Sequence, residues 1–140
     1  MFPNDVWYCA ALSSEVSTQP FERIICNEPI VLFRTVTSGF LVALENRCPH
    51  RQAPLSMGKV VGDEIMCIYH GWTMDGSGRC THVPHQDTQS ENARVKNYPL
   101  AEEGGFVWIW MGDPAKADQN LIPPMPWLES DDHSAVLSRF

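Results

Sequence analysis

Cys48-Pro49-His50-Arg51-Gln52-Ala53-Pro54-Leu55-Ser56-Met57-Gly58 is followed, further along the chain, by Cys67-Ile68-Tyr69-His70-Gly71-Trp72. The two stretches spell C-x-H, sixteen intervening residues, then C-x-x-H. Each follows a predicted strand, at 40–44 and 64–68, so the two motifs sit at strand ends as neighbouring loops. Outward from them the same grammar repeats, with short β runs between turn residues. Strands are predicted at 6–10, 23–26, 30–34, 72–74, 79–82, 97–100 and 106–111. The intervening turns are Asn27-Glu28-Pro29, Thr37-Ser38-Gly39, Asp75-Gly76-Ser77-Gly78 and Glu102-Glu103-Gly104-Gly105. Strands of this length and spacing predict an all-β, antiparallel sandwich or barrel. No segment of helical length has a 3.6-residue period, and one short turn is expected at Ser13 or Ser14, where Ser-Ser-Glu-Val resembles an N-terminal cap. Phe106-Val107-Trp108-Ile109-Trp110-Met111 is apolar on both faces and reads as a buried central strand.

Composition narrows the function classes. At 140 residues, with 44% hydrophobic and 19% charged residues, the chain has the makeup of a folded domain rather than a disordered one. Ten Lys+Arg against seventeen Asp+Glu give a formal charge of -7, which argues against nucleic acid and anionic membranes as partners. The start, Met1-Phe2-Pro3-Asn4-Asp5-Val6-Trp7-Tyr8, is not a signal peptide, and no apolar run approaches the ~20 residues that span a bilayer. A cytoplasmic chain is the expectation, so the five cysteines read as metal ligands or small hydrophobes rather than disulfides. Cys9, Cys26 and Cys80 take the second reading.

Two Cys and two His also suit tetrahedral zinc. Zinc fingers, however, place both cysteines in one knuckle and both histidines on one helix turn, whereas here each arm supplies one of each. That pairing suits a binuclear [2Fe–2S] cluster, with Cys48 and Cys67 on one iron and His50 and His70 on the other. In such a cluster, His ligation makes electron acceptance easier. With two neutral imidazoles the cluster is uncharged when oxidised and singly negative when reduced, whereas four thiolates would make it doubly and triply negative. Pro49 restrains the backbone ahead of His50, and Gly71 lets the chain approach inorganic sulfide closely.

These two loops resemble the cluster-binding loops of Rieske non-haem iron oxygenases. Asn4-Asp5-Val6-Trp7-Tyr8-Cys9-Ala10, Ala43-Leu44-Glu45-Asn46-Arg47 and Val107-Trp108-Ile109-Trp110-Met111-Gly112-Asp113-Pro114 extend the likeness. The subgroup most similar in appearance is that of the vanillate O-demethylase, toluenesulfonate methyl-monooxygenase and dicamba demethylase oxygenase components. The resemblance implies a Rieske sandwich with a small cluster-binding subdomain of two loops, over residues 1–112. Residues 113–140, a Pro-rich extended connection followed by a new apolar pattern (Trp127, Leu128, Val136, Leu137, Phe140), would then begin a truncated catalytic domain. It also implies an electron-entry role. Electrons would come from a reductase or ferredoxin and leave past His70 to a mononuclear Fe(II) in a catalytic domain, within a trimer. NAD(P)H-dependent monooxygenation, such as demethylation of an aromatic compound, is the implied parent reaction, and these residues alone should not be catalytic.

The loops lack the extra cysteines and the hydroxyl donor of respiratory Rieske proteins; Gln52, Ala53, Tyr69 and Trp72 stand there instead. With fewer hydrogen bonds to the cluster, the expected potential is nearer about −150 mV than about +300 mV. A free-standing Rieske-type ferredoxin is the alternative, and a zinc-binding structural module a third reading. Cys80-Thr81-His82-Val83-Pro84-His85-Gln86-Asp87 could suggest a second metal, but Pro84 breaks any helix that would align these side chains. Asp131-Asp132-His133 reads as a solvated turn. Arg47 either closes the first loop or faces solvent, and Trp72 packs over the cluster.

Overall fold

A computed structural model describes residues 1–88, 91–129, 131 and 136. The readings placed on Asp132, His133, Leu137 and Phe140 lie outside these. Ten strands occur among the described residues: β1 (Val6–Leu12), β2 (Phe21–Ile25), β3 (Glu28–Arg34), β4 (Leu41–Glu45), β5 (Lys59–Val61), β6 (Glu64–Met66), β7 (Thr73–Met74), β8 (Cys80–His82), β9 (Leu100–Glu103) and β10 (Phe106–Met111). Every pairing is antiparallel, as the turn spacing predicted. No helix among them is long and apolar enough to cross a membrane.

Two compact units form, one from 16–98 and one from 1–15 with 99–140. In the first, β2-β3-β4 make one sheet and β5-β6-β7-β8 another. Ile30, Val31, Leu32 and Phe33 of the central strand β3 are all fully buried, which explains a run with no polar alternation. Val31, Phe33, Leu44, Leu55, Ile65 and Met74 share one apolar cluster with Cys48 and Cys67. Both loop cysteines are therefore anchored in the core.

The β2–β3 connection is tighter than the predicted Asn27-Glu28-Pro29 turn. Ile25 pairs with Glu28, so Cys26 and Asn27 alone make the turn, with φ of 52° and 62°. Two successive positive φ values give the twist that a two-residue hairpin requires, and Asn27 is suited to it. Cys26 is half-buried and Cys9 exposed, so of the three cysteines read as buried hydrophobes only Cys80 is one. Strand β5 went unread because three residues, Lys-Val-Val, carry too little alternation to register.

In the second unit β10 lies between β1 and β9, the central strand its sequence predicted. Val107, Ile109, Trp110 and Met111 are buried, while Phe106 and Trp108 are half-buried. The turn at Ser13–Glu15 is present, and Glu15 Oε1 accepts from the Leu12 N–H at 2.9 Å. Residues 113–122 lie mostly at the surface, but they are not simply extended. Asp113 and Asp118 cap two short 3₁₀ turns, Pro114–Lys116 and Gln119–Leu121, by accepting from Ala115 N–H at 3.0 Å and Asn120 N–H at 2.9 Å. Trp7 Nε1 donates to Asp118 O at 2.8 Å and Lys116 pairs with Asp5 at 2.8 Å, so the segment folds back along β1.

Candidate metal centre

The first loop leaves β4 and the second leaves β6, and the two are built alike. Cys48 N–H donates to Ala53 O at 2.8 Å, and Gln52 N–H returns to Cys48 O at 2.8 Å. Cys67 N–H donates to Trp72 O at 2.7 Å, and Gly71 N–H returns to Cys67 O at 3.1 Å. Each loop is thus a turn closed on its own cysteine. The return residue is left-handed in both, Gln52 at φ 63° and Gly71 at φ 73°. Gly71 is the favoured residue for that conformation, and a Cβ there would also meet Pro84 Cγ at 3.2 Å.

The four candidate side chains sort into two pairs. Cys48 and Cys67 are each 2% exposed, and their side chains are direct neighbours. Burial pushes the Cys48 thiol up to about 11, opposed by the His50 and Arg51 backbone N–H groups aimed at its sulfur. His50 and His70 lie at the surface, edge to face, with ring centroids 4.8 Å apart. Partial desolvation and, after it, the neighbouring His70 and Arg51 hold the His50 imidazole below its ordinary value, despite its exposed edge.

Trp72, from the second loop, stacks on His50, from the first, with planes 4° apart and centroids at 4.7 Å. Trp72 is half-buried and also packs against the apolar core. Tyr69 leans on His70 at 4.0 Å and is 59% exposed. A cavity of about 330 Å³ opens beside the second loop, lined by Met57, Lys59, Met66, Cys67, Ile68 and Gly71.

The donor set fits a binuclear cluster: thiols paired inward, imidazoles paired outward, amide N–H groups at a sulfur. Among the described residues no three His, Cys, Asp or Glu side chains gather around a single ion, and these four are arranged two and two. Cys80 is buried with its thiol toward His82 O at 3.6 Å, while His82, His85 and Asp87 face solvent. Arg47 is exposed.

Sequence reading passed over Asn46 and Ser56. Asn46 is 2% exposed and its amide binds Ser56 twice. An Asn at a strand end, immediately before a loop, was the available signal, since its short amide favours bonds to nearby backbone.

The family model described as "Rieske [2Fe-2S] domain" matches residues 6–99. The iron-sulfur subunit TsaM1 of the toluene-4-sulfonate monooxygenase system of Comamonas testosteroni is 43% identical over 133 residues, spanning 94% of this chain and 38% of that protein. The vanillate O-demethylase oxygenase subunit of Pseudomonas sp. (strain HR199 / DSM 7063) is 39% identical, over 94% of this chain and 37% of its own length. The crystal structure of apo dicamba monooxygenase superposes with a TM-score of 0.88 at 40% identity, covering 93% of this chain and 40% of that one. The chain therefore spans under half the length of each of these relatives, and it belongs to the Rieske [2Fe–2S] domain family.

Proposed function

We propose that Cys48 and Cys67 hold one iron of a [2Fe–2S] cluster and His50 and His70 the other, and that the chain transfers single electrons as the entry domain of an aromatic-compound oxygenase. The observation that carries this reading is the two-and-two arrangement, with buried thiols side by side and exposed imidazoles edge to face. When bound, such a cluster accepts one electron at a time, more readily for its two neutral imidazole ligands.

The residues divide the work. Cys48 and Cys67, anchored among core side chains, keep the inner half away from water. The His50 and Arg51 amides oppose the cost of a negative sulfur in that setting. His50 and His70 keep an exposed edge through which a partner can be reached. Exposed Met57 and Ile68 beside the second loop, and Tyr69 against His70, add apolar surface suited to protein contact.

The fuller role is the one the family resemblance implies. A reductase or ferredoxin supplies electrons, and a catalytic domain carrying a mononuclear Fe(II) receives them, in a trimer that brings the two centres of neighbouring subunits together. Residues 1–112 form the Rieske domain in this reading, and 113–140 lead toward the catalytic domain. The overall reaction is monooxygenation or O-demethylation of an aromatic compound.

Electron paramagnetic resonance of the anaerobically purified, dithionite-reduced protein tests the reading, with iron and sulfide assayed on the same sample. An anisotropic signal of low average g at two irons per chain is expected for mixed His/Cys ligation. A silent, colourless protein carrying zinc would overturn it.

A further inference from the structure

The first loop is closed at its base by a side chain that the ligand assignment does not use. Asn46 follows β4 and is buried. Its Nδ2 donates to Glu22 Oε2 of β2 at 2.6 Å and to Ser56 Oγ at 2.9 Å, and its Oδ1 accepts from the Ser56 N–H at 2.7 Å. The orientation of the amide follows from its partners. A carboxylate can only accept and a peptide N–H can only donate, so flipping the amide would break both bonds. The Asn46 N–H donates in turn to Pro29 O of β3 at 2.9 Å. One side chain thus joins the sheet β2-β3-β4 to the 3₁₀ turn Leu55–Met57, where the first loop ends.

Nothing else described for this loop does the same work. Its internal bonds, Cys48 to Ala53 and Gln52 to Cys48, shape the turn but do not tie its far end to the sheet. Leu55 is buried in the core, but apolar packing is non-directional and does not set the loop's register. A buried amide that loses partners is penalised, so the closed arrangement is strongly preferred over a partly open one.

We propose that Asn46 is the positioning residue of the first cluster loop, a latch that, with Glu22 and Ser56, fixes the separation of the loop's ends and so the placement of Cys48 and His50. This rests on the ligand assignment proposed above. Asn46 is not one of the four candidate ligands; it acts through the loop it closes.

Asn46→Asp keeps the acceptor for the Ser56 N–H but sets a second carboxylate against Glu22. The expected result is cluster release to an iron chelator about tenfold faster, the scale of one charge-assisted hydrogen bond, with altered g values in the reduced state. Adding Glu22→Gln restores an N–H donor facing the new carboxylate, and should return release to within about threefold of the unsubstituted chain. Ser56→Ala removes one bond only; it should fold normally and release the cluster about threefold faster. Unchanged release and g values in Asn46→Asp, no rescue in the double variant, or unchanged release in Ser56→Ala would each overturn the latch. Absence of iron and sulfide from the unsubstituted protein would instead overturn the ligand assignment beneath it.

Discussion

Gln52 and Gly71 hold equivalent places in the two loops. Each is left-handed, and each donates its N–H to the carbonyl of the cysteine four residues earlier. The histidines do not match in this way, since His50 follows Cys48 by two residues and His70 follows Cys67 by three. One backbone turn thus presents two different ligand spacings, which lets the imidazoles of the two loops meet edge to face.

This equivalence predicts an asymmetry. Gly71→Ala places a Cβ on a left-handed residue and against Pro84, and should cost about 1–2 kcal/mol. Gln52→Gly relieves the same conformation and should stay within about 1 kcal/mol of the parent, the freer unfolded chain offsetting the relief. Urea denaturation of both variants checks this. Equal destabilisation would mean that the loops are not equivalent.

Ligand removal separates the cysteines by role. Cys48→Ser, Cys67→Ser, His50→Ala and His70→Ala should each lose the visible absorbance and the iron of a Rieske centre. Cys80→Ala should keep them while losing about 1 kcal/mol of stability, because Cys80 is a small buried side chain outside the loops. Cys9→Ala and Cys26→Ala should keep both iron and stability. Metal analysis beside thermal melts distinguishes the sets.

The midpoint potential should lie nearer about −150 mV than the upper end of the Rieske range, near about +300 mV. No hydroxyl side chain stands at Tyr69's neighbours His70, Gly71 or Trp72, and Trp72 is spent on stacking against His50. Protein-film voltammetry gives the number directly, and a value above zero contradicts the argument.

Replacing Trp72 tests the stack across the loops. Trp72→Phe retains a ring over His50 and should hold the cluster; Trp72→Ala removes it along with part of the core packing, at a cost of about 2–3 kcal/mol. Cluster lifetime in the presence of chelator should fall for the alanine variant only.

Acid should weaken the fold through paired carboxylates. Lys116 and the Asp113 N–H hold Asp5 below its ordinary value, and Ser38 does the same for Asp63. Burial pushes Glu28 upward, but hydrogen bonds from Tyr98 and Lys96 outweigh it and leave Glu28 lowered as well. A depressed carboxylate stabilises the folded state above its unfolded pKa, and loses that contribution as pH falls through the lower folded value. Thermal melts should therefore show a drop below about pH 4, the ordinary carboxylate range. Tyr98→Phe should blunt that drop by releasing Glu28 from one of its donors.

Much of this protein could be read from local sequence. Alternating runs and Gly- or Asn-containing turns predicted the antiparallel strands, because strand period and turn conformation are set by neighbouring residues. The pairing of Cys48 with His50 and of Cys67 with His70 named the candidate site and the family, since ligand type and spacing are written in the chain itself. Tertiary structure decided the rest. Only the shared core around Leu55 and Ile65 draws both cysteines inward and leaves both histidines at the surface. Only the adjacency of the loops lays Trp72 flat on His50. Gln52 gave no sign of its left-handed backbone, because the turn bonds around Cys48 impose it against the residue's own preference. Asn46 looked like one polar residue among many, and its bonds to Glu22, 24 positions away, and to Ser56, 10 positions away, exist only once β2 and the first loop are brought together.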